Sequence, residues 1–272
     1  MGILDFRLFT QEEMLSFFAV LVRYSVLIAL LPIVGNRFVP VPVKILLSLA
    51  ISIALFPALV TTGQIHPGEA AIWGSSGFGI VGTVALEALV GFALGFTAKL
   101  AFESVSFGAN LVGTFMGFAI ASSYDPTQDT QTQVIAELQI AIGTLIFLAI
   151  DGHHAMLKAA LGSYQIVGLG KAGLSAAFSQ RLTVLTAEVI RFGVQMAAPV
   201  AVTLFAVNIA FGVLAKAMPQ LNVLVLSFAV SALIGFIVMF LSIPEFQGAA
   251  GNVLGKTGDW MSFVLKTMAG GH

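Results

Sequence analysis

One stretch, apolar enough for lipid yet poorly built to span it, constrains this chain most. Residues 104–124 read SVSFGANLVGTFMGFAIASSY, without a single charge. Gly108, Gly113 and Gly117 alternate there with Phe107, Phe115, Met116 and Phe118. Each glycine weakens a helix interior by roughly 1 kcal/mol relative to alanine. The stretch then runs into Asp125-Pro126-Thr127-Gln128-Asp129-Thr130, which is turn chemistry. Backbone that is not helical survives at membrane depth only when buried in protein or lining a cavity. The stretch is therefore expected to be irregular and to sit inside a pore or an assembly, which points to transport.

The rest of the chain fixes the medium. Of 272 residues, 58% are hydrophobic and 9% are charged, against about 25% charged in soluble domains. This is the composition of a polytopic, all-α membrane protein. Twelve basic and thirteen acidic residues leave a formal charge of −1, which gives no electrostatic case for nucleic acid or anionic lipid. The absence of cysteine excludes disulfides, thiolate metal sites and thiol catalysis. Asp5 precedes the first apolar run and Arg23 interrupts it, so no cleaved signal peptide is expected.

A span needs about 20 apolar residues. Six runs qualify in part: 14–34, 43–60, 77–102, 134–150, 181–216 and 221–243. The loop Gly35-Asn36-Arg37 separates the first two, and a connection over 155–180 holds four glycines. The fifth run is too long for a simple span and carries Pro199 near its middle. Proline removes the bond to the carbonyl four residues back, so the helix either breaks there or continues well beyond the lipid. Pro219, Gln220 and Asn222 mark the turn into the sixth run, making runs five and six a helical hairpin. The tail from Pro244 is mixed in polarity, with an amphipathic turn or two around 260–265. Arg37, Lys44, Lys99 and Lys216 fall on one side, and Arg7, Lys158, Lys171, Arg181, Lys256 and Lys266 on the other. That weak bias places the termini in the cytoplasm.

Arg23, Glu87, Glu188 and Arg191 lie inside apolar runs. A charge at the bilayer centre costs on the order of 3 kcal/mol on insertion scales, so such groups face protein or water. Arg23 and Glu87 can pair between runs, and Glu188 and Arg191 within one helix face. Lys44 and Lys216 join them as candidates for buried or intersubunit pairing. These groups serve either a proton or ion relay or plain interhelical pairing. Asp151-Gly152-His153-His154 invites a metal reading, but adjacent histidines on a helix diverge by about 100° and no nearby Glu or Cys completes a set. The expected role is a helix terminus, with no metal. Gly91 and Gly95 match the small-xxx-small pattern of close helix approach. No nucleophile elbow or phosphate loop is present. The Phe/Met/Gly cluster over 107–118 reads either as an apolar constriction that closes a pore by excluding water or as a glycine-rich helix packed on its neighbours.

In order and spacing, these residues resemble the FliR family of flagellar type III export-gate proteins and its virulence-secretion relatives of the SctT/SpaR type. The carriers are Arg23 with Pro32 and Gly35; Val39-Pro40 and Lys44; and Glu87 with Gly91 and Gly95. They continue with Gly108, Gly117 and Asp125-Pro126; Gly152-His153-His154; and Ser163-Tyr164. Ala198-Pro199, Asn208, Gly212 and the run from Lys216 to Asn222 complete the set. The resemblance implies a FliP-like part over 1–180, with an apolar plug loop at about 104–130. It implies a FliQ-like hairpin over 181–243 and a tail over 244–272. It implies a hetero-oligomer with FliP-like and FliQ-like subunits, beside components of the FlhA/FlhB type. It places the protein in the inner membrane within the flagellar basal body, protruding toward the periplasm. Membrane lipid and unfolded export substrates would be its other contacts, with no nucleic acid and no cofactor. The chain departs from the family at Val167-Gly168-Leu169-Gly170, where a proline-containing turn is expected. Two other classes compete: a secondary transporter with Arg23, Glu87, Glu188 and Arg191 at a midplane site, and an intramembrane enzyme using Asp151, His153 and His154.

Overall fold

The computed structural model describes residues 10–32, 39–117, 130–220 and 222–269, and the backbone alone over 130–134. Phe118, the turn residues Asp125 to Asp129 and the loop Gly35-Asn36-Arg37 lie outside the described residues. Among those described, every helix and turn belongs to an all-α chain without strands. The helices are α1 (Gln11–Leu30), α2 (Val41–Thr61), α3 (Ala70–Trp73), α4 (Gly77–Phe115), α5 (Thr130–Ala149), α6 (Gly152–Ile166), α7 (Ala176–Ala217), α8 (Val223–Leu241), α9 (Ile243–Gly255) and α10 (Thr257–Ala269). A short 3-10 turn covers Pro67–Glu69. Among the described residues, five helices are long and apolar enough to cross a membrane, and six if Ile135–Ala149 and Gly152–Ile166 form one broken span.

Local chemistry sets the helix ends. Thr10 and Glu13 form a reciprocal capping box: the Glu13 N–H donates to Thr10 Oγ1 at 3.2 Å, and the Thr10 N–H donates to Glu13 Oε2 at 2.9 Å. Proline occupies the first turn of α2 and of α9, where an N–H has no intrahelical partner. Asn222 caps α8 by accepting from the Val225 N–H at 3.4 Å.

Three sequence expectations need correction. Residues 104–115 are not irregular: they continue α4 as a helix to Phe115. The chain turns only at Met116 and Gly117, where Gly117 takes φ 87°. Residues 155–166, expected within a connection, are helical in α6. Of the two readings of Pro199 the break is not found: α7 runs unbroken for 42 residues, about twice what a span needs, which is the over-long helix of the other reading. The tail forms two full helices, α9 and α10.

The chain divides into two compact units. The first comprises Met1–Lys99, His154–Thr183 and Thr257–His272; the second comprises Leu100–His153 and Val184–Lys256. In the first, α1 lies against α2, with Phe17 and Phe56 edge to face at 5.6 Å. Gly91 and Gly95 let α4 approach α1 closely: a Cβ on Gly95 would stand 2.7 Å from Leu30 Cβ. In the second, the core gathers Val112, Met116, Ala197, Val200, Leu204 and Met239. There α4 and α7 cross at Gly108 and Gly193, where a Cβ on Gly108 would stand 2.9 Å from the Gly193 carbonyl oxygen. Gly108 thus serves a close crossing, which explains why a helix tolerates it.

Candidate functional site

The first unit is organised around a buried charge. Arg23 projects from the middle of α1 and is 1% exposed; Glu87, on α4, is fully buried. Arg23 Nε donates to Glu87 Oε2 at 2.6 Å and Nη2 donates to Oε1 at 2.9 Å. This bidentate fork is the strongest geometry available to the pair. Arg23 Nη1 also donates to Ser163 Oγ on α6 at 2.8 Å, and Nη2 to the Val167 carbonyl at 3.3 Å. The Tyr164 ring stacks on the guanidinium, 3.8 Å from its central carbon. Glu87 Oε1 accepts a further bond from the Gly170 N–H at 2.8 Å.

This cluster holds an irregular, partly buried stretch of backbone. Between α6 and α7 the chain bends over 167–175, burying Val167, Leu169 and Ala172. Buried polar backbone must find partners inside the protein. Val167 offers its carbonyl to Arg23, and Gly170 its N–H to Glu87. Gly170 takes φ 70°, which favours glycine. A proline at Gly170 could supply neither that angle nor the N–H. Charge within apolar runs singles out Arg23 and Glu87 in the sequence. The sequence marks Val167-Gly168-Leu169-Gly170 only as a departure from the resemblance, and the hydrogen bonds of the Val167 and Gly170 backbone have no side-chain signature.

The constriction candidates separate by environment. Met116 is fully buried in the second unit's core and Gly113 is buried. Gly108 packs on Gly193, and Gly117 makes the turn after α4 beside the Phe228 ring. Phe107 and Phe115 are each 37% exposed. Phe118 lies outside the described residues. The exposed face of this half of α4 carries Glu103, Phe107, Asn110 and Thr114, spaced for one side of a helix. Thr114, Phe115, Gly117, Asn208, Phe228 and Ser231 line a cavity of about 520 Å³. Glu103, Asn110 and Thr114 were missed by sequence reasoning; their recurrence with Phe107 at i, i+7 and i+11 was the available signal.

Glu188 and Arg191 pair on α7 at 3.2 Å, with Arg191 exposed and Glu188 half-buried. Lys44 is half-buried in the first turn of α2. Lys216 is exposed in the last turn of α7, where a cation suits the helix dipole. Pro199 is enclosed within α7, while Pro219, Gln220 and Asn222 are exposed between α7 and α8. Asp151 turns with φ 54° ahead of α6, and His153 and His154 fall in the first turn of that helix.

Long apolar helices and a fully buried arginine–glutamate fork on two of them define a polytopic all-α membrane protein. Within that class, the chain belongs to the family described as bacterial export proteins, family 1, whose pattern matches residues 14–257. It is 28% identical over 239 residues to the flagellar biosynthetic protein FliR of Escherichia coli (strain K12), covering 86% of this chain and 88% of that protein. It is 25% identical over 253 residues to the protein of that name from Bacillus subtilis (strain 168), covering 92% and 94%. The corresponding protein of Aquifex aeolicus (strain VF5) is 23% identical over 240 residues, covering 86% and 88%.

Proposed function

We propose that the chain is an export-gate subunit of a flagellar type III secretion apparatus. It contributes part of the conduit through which unfolded flagellar proteins cross the inner membrane, and it helps keep that conduit closed at rest. The family match and the FliR relatives support the apparatus. The observation that carries the conduit reading is the exposed face of α4 with Glu103, Phe107, Asn110 and Thr114. A carboxylate and an amide on the outside of a span-like helix are expensive against hydrocarbon. The face suits water or a companion chain. Phe107 and Phe115 add apolar bulk of the kind that closes a pore by excluding water.

On this reading the companions are FliP-like and FliQ-like subunits, with FlhA/FlhB-type components nearby. The first 180 residues act as the FliP-like part, residues 181–243 as the FliQ-like hairpin, and the gate protrudes toward the periplasm. The competing transporter reading loses its centre, because Arg23 and Glu87 are engaged with each other and with Ser163, Val167 and Gly170.

The test is ion conductance of the assembled complex. Replacing Phe107 and Phe115 together with serine should raise leakage while the subunits still copurify. Met116 is a poor choice for this experiment, since its replacement unpacks the core. Unchanged conductance in an assembled Phe107→Ser, Phe115→Ser complex contradicts the constriction.

A further inference from the structure

The end of α10 draws hydrogen bonds from a distant part of the chain. The final carbonyls of a helix lack intrahelical donors, and a following glycine commonly supplies them from its own chain. In α10 two such donors, among the described residues, come from far away in sequence. The Ser175 hydroxyl donates to the Thr267 carbonyl at 2.7 Å, and the Gly173 N–H donates to the Met268 carbonyl at 3.0 Å. Both donors belong to the partly buried bend that Arg23 and Glu87 hold from its other end. Near the start of α7, the Arg181 guanidinium lies over the Phe263 ring at 4.1 Å. At the start of α10, Gly258 rests against Ala155 of α6. The helix therefore touches the start of α6, the bend and the start of α7 in turn.

Its side chains fit such a role. Trp260, Met261, Val264, Leu265 and Met268 are buried, the last four completely. Their spacing makes one apolar stripe, and Lys266 sits in the last turn, where a cation is favoured. The family pattern stops at residue 257, where α10 begins, so the family match assigns this helix no task.

We infer that α10 is a strap that fastens the bend over 167–175 and the first turns of α7. Its apolar stripe supplies the hold, and the Ser175, Gly173 and Arg181 contacts set where the strap closes. The bend is then clamped at two points: by the buried ion pair near Val167 and Gly170, and by the strap at Gly173 and Ser175. Release of the strap leaves the donors of Gly173 and Ser175 without their carbonyls and opens the bend to solvent.

Because this chain has no cysteine, an introduced thiol is the only one in it, and labelling is read on this chain after denaturing electrophoresis separates it from its companions. In the full-length chain within its detergent-extracted complex, Val264→Cys places that thiol on the buried stripe, and Lys266→Cys places it on the exposed side. Maleimide should modify the thiol at 264 about 100-fold more slowly than the one at 266, because labelling at 264 needs local opening. Adding Ser175→Ala and Arg181→Gln removes one hydrogen bond and one cation–π interaction. It should speed the reaction at 264 about tenfold and leave that at 266 unchanged. Equal reactivity at 264 and 266, or a rate at 264 indifferent to the two substitutions, overturns the strap. A second measurement uses Ala172→Cys in the bend. Its labelling should accelerate by a similar factor in the Ser175→Ala, Arg181→Gln background, and an unchanged rate means the bend does not depend on α10.

Discussion

Removing the carboxylate of Glu87 should damage this protein more than any exposed charge substitution. In Glu87→Leu, Arg23 loses both arms of its fork, at 2.6 and 2.9 Å, and the Gly170 N–H loses its acceptor. The guanidinium keeps Ser163, the Val167 carbonyl and the Tyr164 ring, none of which carries a compensating charge. Breaking a buried pair by removing one partner costs about 3–5 kcal/mol, because a buried charge is left uncompensated. At about 2–4 °C per kcal/mol for a chain of this size, the midpoint of thermal unfolding should fall by roughly 6–20 °C. The partner substitution Arg23→Met strands Glu87 in the same way. The double variant Arg23→Met, Glu87→Leu removes both charges and leaves the Val167 carbonyl and the Gly170 N–H to be satisfied, at about 1–3 kcal/mol each. It should cost at least about 2 kcal/mol less than the two single losses added together. Far-ultraviolet circular dichroism melts of all four proteins in one detergent give the cycle. Single losses below about 1 kcal/mol that simply add would mark the pair as no stronger than a surface ion pair and refute the reasoning.

Two further expectations need only the same melts. Gly91→Ala sets a Cβ into the Arg23 carbonyl and 3.1 Å from Val26 Cβ, whereas a Cβ on Gly82 meets nothing within 4 Å. The first should lower stability by about 1–3 kcal/mol through overpacking, and Gly82→Ala should raise it by up to about 1 kcal/mol through helix propensity. Glu188→Gln breaks a pair whose side chains are 30% and 70% exposed, so the loss should stay below about 1 kcal/mol.

Much of this architecture was legible in the sequence because lipid imposes simple rules. Apolar runs mark the helices, and charges inside them single out Arg23 and Glu87. The departures along α4 and α6 share one cause: glycine, a breaker by propensity, sits inside helices here. Gly108 lies at the crossing with Gly193, so residues 104–115 stay helical. Gly162 likewise lies within α6. The rule that irregular backbone must be buried in protein holds, but at 167–175, where the polar groups that make it tolerable come from Arg23, Glu87 and α10. Contacts between backbone groups and side chains 80 or more residues away leave no local pattern to read. The extent of α10 is hidden for the same reason. Its amphipathic spacing suggests a turn or two, while its length and its partners depend on tertiary packing.

The most direct test of the conduit places a photoreactive residue in turn at positions 107, 110 and 114 of the chain, in cells whose export is running. Adducts to a companion polypeptide or to the protein being exported are the predicted result. Adducts to phospholipid alone at all three positions would contradict it.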